Sequence, residues 1–135
     1  MKITLQELTR LAADSAFLKP LGLVVEACAP GECSVRIPYA RALERPGGVL
    51  SGIAIMGAAD VAMWMAIQTL RGPEEPWVTT DMKTAFLRGA RGTDVLCTAR
   101  VLKLGNRTAY GTADCRGANG ELLAHHVLSY TRVGE

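Results

Sequence analysis

The sequence carries little excess charge of either sign. Its 135 residues include 15 Lys and Arg and 13 Asp and Glu, which gives a net charge of +2. A nucleic-acid-binding domain is usually far more basic, so we expect no nucleic-acid partner. Hydrophobic residues make up 49% of the chain and charged residues 21%, which is typical of a folded domain. The length predicts a single domain over residues 1–135 with one core.

The cysteines show neither a CxxC pair nor the spacing of zinc ligands. The four of them are Cys28, Cys33, Cys97 and Cys115. Each stands in an apolar or alternating stretch, where a reduced cysteine behaves as a small hydrophobic residue. The amino terminus also lacks the continuous apolar run of a signal peptide. We therefore expect free thiols and a cytoplasmic protein.

The most apolar segment, residues 47–70, contains only one ionisable residue, Asp60. The segment is close to the ~20 residues that a membrane span needs. A carboxylate at its centre makes insertion into a membrane less favourable by about 2.5–3.5 kcal/mol. We therefore expect a helix buried within the protein's own fold, not a membrane span. Because a buried carboxyl group needs partners, Asp60 either hydrogen-bonds to the sheet or takes part in chemistry.

Hydrophobic periodicity predicts an α+β fold. Helical spacing indicates a first helix over residues 4–13, and the apolar segment forms a second that ends near residues 71–73. Period-2 alternation predicts six strands. They span residues 21–28, 33–39, 77–87, 94–103, 107–116 and 121–133. The order of these elements indicates an antiparallel sheet wrapped around the long central helix.

The start of the central helix is a candidate oxyanion site. Ser51 can cap this helix, and the N–H groups of Gly52 and Ile53 are then expected as unpaired donors at its positive end. Such donors stabilise a carbonyl oxygen that becomes negatively charged. Asp60 lies about 12 Å further along the axis. If both groups act on one carbonyl, two helices must run antiparallel across a two-fold axis, which predicts a symmetric dimer.

Two segments resemble motifs of the hotdog-fold acyl-CoA thioesterases of the phenylacetic-acid-degradation type. In the helix motif H-G-G-x-x-x-x-L-x-D-x-A, Gly52, Asp60 and Ala62 match at the same spacing. Gly48 matches the first glycine of the upstream pattern N-x-x-G-x-x-H-G. Residues 79–88 are similar to the strand pattern (S/T)-x-D-x-x-x-x-(F/Y)-(L/M)-R.

The resemblance covers about residues 15–133 and implies a hotdog fold that hydrolyses an acyl-CoA thioester. It implies that Asp60 acts as a general base on water or attacks the thioester carbonyl itself. The Gly52 N–H of the partner subunit would bind the oxyanion. Thr79 falls where the family often has a hydroxyl that positions the water or the carboxylate.

Three departures from the family pattern matter for the chemistry. The family histidine is Ser51 here, its second glycine is Ile53, and its upstream asparagine is Arg45. The Ser51 hydroxyl could replace part of the histidine's role, and Arg45 could contact the thioester or CoA. Alternatively, the two residues are a helix cap and a solvated loop charge.

Several further residues are candidates for substrate binding. Arg88, Arg91, Lys103 and Arg107 could hold the phosphates of coenzyme A, because arginine offers bidentate hydrogen bonds; the alternative is solvated charges at strand ends. Met63 and Trp64 could line an acyl pocket, or could belong to the core or a subunit interface. The adjacent His125 and His126 point to opposite faces of a strand and cannot share a metal.

The sequence thus predicts a dimer or tetramer that hydrolyses acyl-CoA, with no metal or cofactor beyond the coenzyme A of its substrate. A non-catalytic acyl-CoA-binding protein is an alternative, and it would release no free thiol. An enoyl-CoA hydratase on the same fold is a second alternative. Such hydratases typically need an Asp–His pair, which the central helix lacks.

Overall fold

A computed structural model describes residues 1–134 of the chain. The helices are α1 (Leu5–Asp14) and α2 (Gly52–Arg71), with short 3-10 segments at Ala16–Leu21 and Arg41–Leu43. The strands are β1 (Val24–Ala29), β2 (Glu32–Ile37), β3 (Glu44–Arg45), β4 (Val49–Leu50), β5 (Trp77–Phe86), β6 (Val95–Leu104), β7 (Thr108–Arg116) and β8 (Leu122–Arg132). The predicted elements are therefore present, and the sequence reasoning missed only the 3-10 segments and the short pair β3–β4.

The main sheet has six antiparallel strands in the order β1-β2-β6-β7-β8-β5, and α2 packs against one of its faces. The buried residues of the helix and of the inner sheet face form one continuous core. This arrangement confirms the predicted α+β hotdog fold. Among residues 1–134, it also leaves β5 as an edge strand with no partner strand on one side.

Helix α2 is enclosed on most sides, which explains its composition. It is long and apolar enough to cross a membrane, with a mean hydropathy of 1.5, yet 67% of that window is buried inside the fold. The packing is tight where Met63 meets β7. A side chain at Gly111 would lie 2.5 Å from Met63 Cε and 2.2 Å from the Arg100 carbonyl oxygen, so only glycine fits there.

The amino-terminal segment covers one end of this core. Thr4 caps α1, since its hydroxyl accepts from the Glu7 N–H and the Glu7 carboxylate accepts from the Thr4 N–H. Helix α1 packs on β1. The following 3-10 segment contains Pro20 and ends at Gly22, which has a positive φ of 60°. This segment delays the start of β1 to Val24, three residues after the predicted position.

The expectation of four free thiols is wrong for one pair. Cys28 and Cys33 form a disulfide across the β1–β2 hairpin, with Cα atoms 4.2 Å apart. They are register partners on either side of the turn at Pro30 and Gly31. Their equal spacing from the turn is the signal in the sequence that would have indicated this pairing. Disulfides are rare in cytosolic proteins, so the cysteines no longer support the cytoplasmic expectation.

Candidate active site

The carboxylate of Asp60 is held through one of its two oxygens. Thr79 Oγ1 donates to Asp60 Oδ1 at 2.6 Å, and the Tyr130 hydroxyl lies 2.5 Å from the same oxygen. The Tyr130 hydroxyl is also 2.7 Å from the Asp60 backbone carbonyl oxygen. Within residues 1–134, Asp60 Oδ2 has no hydrogen-bond partner. The carboxylate is therefore oriented through Oδ1, and its other oxygen is not engaged by these residues.

Two strands bring these donors together. Thr79 and Tyr130 are register partners on β5 and β8, so their side chains point to the same face of the sheet. Tyr130 is only 2% exposed. Burial, and then the negative charge of Asp60, raise the pKa of the Tyr130 hydroxyl well above its usual range. Tyr130 consequently stays protonated and remains a hydrogen-bond donor at any ordinary pH.

Sequence reasoning identified Thr79 but missed Tyr130. Thr79 stands in a recognisable motif, whereas Tyr130 lies in the last strand, among residues with no motif around them. Only the pairing of β5 with β8 places it beside Asp60. Its one signal in the sequence is a tyrosine on the buried side of an alternating strand, a position at which the hydroxyl needs a partner.

A cavity of about 400 Å³ adjoins Asp60, Thr79 and Tyr130. We call it the aromatic cavity. Its walls come from α1, the first 3-10 segment, α2 and the start of β5, and include Phe17, Leu18, Val61, Trp64, Trp77 and Val78. Trp64 therefore lines a cavity beside the carboxylate. Met63, by contrast, is 1% exposed and packs into the core against Gly111, away from this cavity.

The start of α2 opens onto a second cavity of about 390 Å³, which we call the helix-end cavity. Arg45, Gly52, Phe86 and Arg88 contribute to its walls. The Gly52 N–H has no acceptor among residues 1–134. A side chain at Gly52 would lie 3.0 Å from Phe86 Cζ, because the Phe86 ring covers this glycine.

The expectation that both the Gly52 and the Ile53 N–H groups are unpaired is wrong for Ile53. Ser51 caps the helix through its side chain, and Ser51 Oγ accepts the Ile53 N–H at 3.1 Å. This bond occupies the Ile53 N–H, so only the Gly52 N–H of the two lacks an acceptor among residues 1–134. The side chain of Ile53 is 84% exposed, so the helix start stands open on the surface of the chain.

The basic residues divide between the two ends of α2. Arg45 and Arg88 line the helix-end cavity. Arg91 donates to the Gly47 carbonyl oxygen at 2.8 Å and lies beside Gly48, so it braces the loop before the helix. The positive φ of 77° at Gly48 suits only glycine in this tight loop.

Lys103 and Arg107 lie near the carboxyl-terminal end of α2. Arg71, the last residue of α2, donates to the Gly105 carbonyl oxygen in the turn between them. A helix of this length spans about 30 Å. The structure therefore does not bring the four predicted cations into one cluster within a subunit.

The two histidines face opposite sides of β8, as predicted. His126 is fully buried between Thr84 and Cys115, and its ring nitrogens lie 2.7 Å from Thr84 Oγ1 and 3.5 Å from Cys115 Sγ. His125 pairs with Asp114 on the other face. Across residues 1–134, no group of three His, Cys, Asp or Glu side chains is arranged to hold a metal ion.

Comparisons with known proteins agree with this architecture. Residues 47–124 match the family model described as the Thioesterase superfamily. Thioesterase superfamily member 2 of zebra fish has a similar structure, with a TM-score of 0.87 and 32% identity over 98% of this chain and 99% of that chain. A conserved protein of Pseudomonas aeruginosa is similar with a TM-score of 0.86 and 30% identity, over 92% of this chain and 98% of that one.

A mutant of the phenylacetic acid degradation protein PaaI of Thermus thermophilus is also similar. Its TM-score is 0.80 and its identity 28%, over 88% of this chain and all of that one. The matched region of the family model contains α2, Asp60 and the Thr79 strand. The chain belongs to the thioesterase superfamily.

Proposed function

We propose that the protein hydrolyses an acyl-CoA thioester to the free acid and coenzyme A. The observation that carries this proposal is the state of the Asp60 carboxylate. It lies on the central helix of a thioesterase-superfamily chain, fixed through Oδ1 and unoccupied at Oδ2, at the edge of an apolar cavity. Such an oriented carboxylate beside a binding cavity suits general-base or nucleophilic chemistry.

In this proposal, Asp60 Oδ2 takes a proton from a water molecule while that water attacks the thioester carbonyl carbon. Alternatively, Oδ2 attacks the carbon itself, and water then hydrolyses the resulting anhydride. Either route breaks the carbon–sulfur bond and releases the thiol of coenzyme A. The thioester carbonyl is already electrophilic, so the reaction needs only an oriented carboxylate and one or two oxyanion donors.

The oxyanion donor is proposed to come from a second subunit. Asp60 and Gly52 are about 12 Å apart on one helix, and they open onto different cavities of the same chain. The unpaired edge of β5 and its exposed Phe86 offer a surface on which two chains can pair. A two-fold axis beside this edge would bring the Gly52 N–H of one subunit to the Asp60 of the other.

Coenzyme A is proposed to bind at the helix-end cavity. Arg45 and Arg88 would contact its phosphates there, and Arg91 would hold the loop at Gly48 in place. The Ser51 hydroxyl, which caps the helix, would keep the Gly52 amide in position. Lys103 and Arg107 lie near the opposite end of α2, too far away to join this site within the same subunit.

The test is the Asp60→Asn variant assayed on a panel of acyl-CoAs with detection of free thiol. We expect the variant to fold and bind acyl-CoA but to lose about a hundredfold or more in kcat, as general-base contributions suggest. Asp14→Asn is a matched control, since Asp14 is an exposed carboxylate at the end of α1. Unchanged turnover in Asp60→Asn would refute the assignment of Asp60. A wild-type protein that binds acyl-CoA without releasing thiol would instead support the non-catalytic alternative.

A further inference from the structure

The aromatic cavity collects most of the aromatic residues of a chain that has few. The sequence contains 2 Trp, 3 Tyr and 2 Phe. Both tryptophans line this cavity, together with Phe17 and Tyr130. Aromatic walls bind large apolar groups well, and stack on aryl groups in particular.

The polar groups of the lining are largely engaged. The Tyr130 hydroxyl donates to Asp60, and the Trp77 indole N–H donates to Glu75 Oε1 at 3.0 Å. The Ser15 hydroxyl donates to the Leu11 carbonyl oxygen at 2.7 Å. The indole N–H of Trp64 is the one side-chain N–H of the lining with no acceptor among residues 1–134.

The lining also contains no lysine, arginine or histidine, and its single charged side chain is Asp60. A carboxylate at the far end of a substrate would therefore lie against mostly apolar walls that offer no cation, and would enter a site that already holds a negative charge. Both effects oppose binding. The Trp64 N–H can still donate to an uncharged polar atom of the substrate. The cavity therefore discriminates against charge and not against every polar group.

Resting on the proposed function, we propose that the aromatic cavity holds the acyl group and selects acyl groups with an uncharged, apolar end. Monocarboxylic acyl-CoAs, aliphatic or aryl, are then substrates, and acyl-CoAs that end in a second carboxylate are rejected. The rejection originates in the lining of the cavity, which offers no cation and already holds the Asp60 carboxylate.

The test compares two substrates of equal carbon number, hexanoyl-CoA and adipyl-CoA, which differ in a terminal methyl or carboxylate group. We expect kcat/KM of the wild-type enzyme to be at least about a hundredfold higher for hexanoyl-CoA, since the carboxylate is unpaired in the cavity. A ratio near one would overturn the proposal.

A cation placed at the cavity rim should reverse part of this selection. Phe17 is 76% exposed on the 3-10 segment, so Phe17→Arg adds a positive charge with little effect on packing. We expect it to raise the relative kcat/KM for adipyl-CoA about tenfold or more. Leu102→Arg is the matched control: Leu102 is 61% exposed on β6, away from the cavity, and corrects for attraction to the phosphates of coenzyme A. An equal change in both variants would contradict the proposal.

A binding measurement separates this proposal from the proposed function. Both tryptophans line the cavity, so intrinsic fluorescence reports directly on its occupancy. If no acyl-CoA of the panel releases thiol, the hydrolase assignment fails, and fluorescence titration of the wild-type protein with hexanoyl-CoA and adipyl-CoA still tests the selection. Tighter binding of hexanoyl-CoA supports it, and equal affinities overturn it.

Discussion

Replacing Tyr130 with phenylalanine tests whether the orientation of Asp60 matters for turnover. The substitution removes one hydroxyl from a buried ring and leaves the ring itself in place. It deletes the donor 2.5 Å from Asp60 Oδ1, while Thr79 keeps its own 2.6 Å bond to that oxygen. The carboxylate is then held by one donor and can rotate, so Oδ2 is no longer aimed at a single point.

The structure sets the size of the effect. A hydrogen bond to a charged group contributes about 1.5–3 kcal/mol. We take the lower part of this range, about 1.5–2 kcal/mol, because Thr79 remains and water can enter from the aromatic cavity. If that energy is lost from the transition state, kcat falls about ten- to thirtyfold. KM should change little, since Tyr130 does not contact coenzyme A in the proposed site.

The rate per folded molecule distinguishes positioning from a general loss of stability. A variant that is merely less stable loses activity in proportion to its unfolded fraction, so its kcat per folded molecule equals that of the wild type. A loss of positioning lowers kcat per folded molecule and leaves KM nearly unchanged.

The assay is steady-state thiol release, with circular dichroism to measure the folded fraction of the variant. Tyr110→Phe is the matched control, because Tyr110 is 47% exposed and its hydroxyl has no hydrogen-bond partner among residues 1–134. We expect this control to keep the wild-type kcat and KM. If Tyr130→Phe has a kcat per folded molecule within about twofold of wild type, Tyr130 has no positioning role.

Two further predictions concern the helix-end cavity. Replacing Arg88 with alanine should raise KM for acyl-CoA more than it lowers kcat. A pantetheine thioester, which lacks the nucleotide phosphates, should show no such penalty, and equal penalties on the two substrates would refute phosphate binding. Asp60→Asn and Gly52→Val should each be inactive as homodimers, but after verified subunit exchange they should recover up to about a quarter of normal activity, because one site of each heterodimer is intact. Failure to recover would place the whole site within one chain.

Features that depend on local spacing could be predicted from the sequence. The length of α2, its cap at Ser51 and the position of Asp60 within it follow from apolar composition and from stop signals at Gly72 and Pro73. The strands follow from alternation, with boundaries mostly within one or two residues of the prediction. These elements are determined by residues close together in the chain, so the sequence contains their signals directly.

Features that depend on which strands pair could not be predicted. Tyr130 is placed beside Asp60 by the β5–β8 register. Met63 and Trp64 are neighbours about 100° apart on a helix surrounded by protein, and apolar composition does not tell which faces the sheet and which the cavity. Gly111 determines that Met63 is the residue that faces the sheet, because the space left by the missing side chain of Gly111 receives Met63. The division of the basic residues between the ends of α2 likewise follows from tertiary structure.

A lone carboxylate in an apolar helix suggested either a structural role or a chemical one, and the geometry at Asp60 makes the two compatible. Thr79 and Tyr130 both donate to Oδ1 and so tie the helix to the sheet, while Oδ2 has no hydrogen-bond partner among residues 1–134 and Asp60 lines the aromatic cavity. An asparagine can keep the first function, since its amide oxygen accepts the same two hydrogen bonds in the place of Oδ1. It cannot supply the second, because an amide nitrogen neither takes a proton from water at neutral pH nor attacks a thioester. A leucine would lose both, because neither hydrogen bond to Oδ1 can form. The buried Tyr130 hydroxyl would keep only its contact with the carbonyl oxygen of residue 60, and the exposed Thr79 hydroxyl would turn to water. We expect a loss of stability of about 1.5–3 kcal/mol, the contribution of one hydrogen bond to a charged group. Loss of activity in Asp60→Asn with retained stability, against loss of both in Asp60→Leu, is therefore the pattern expected of a residue that anchors the site with one oxygen and reacts with the other.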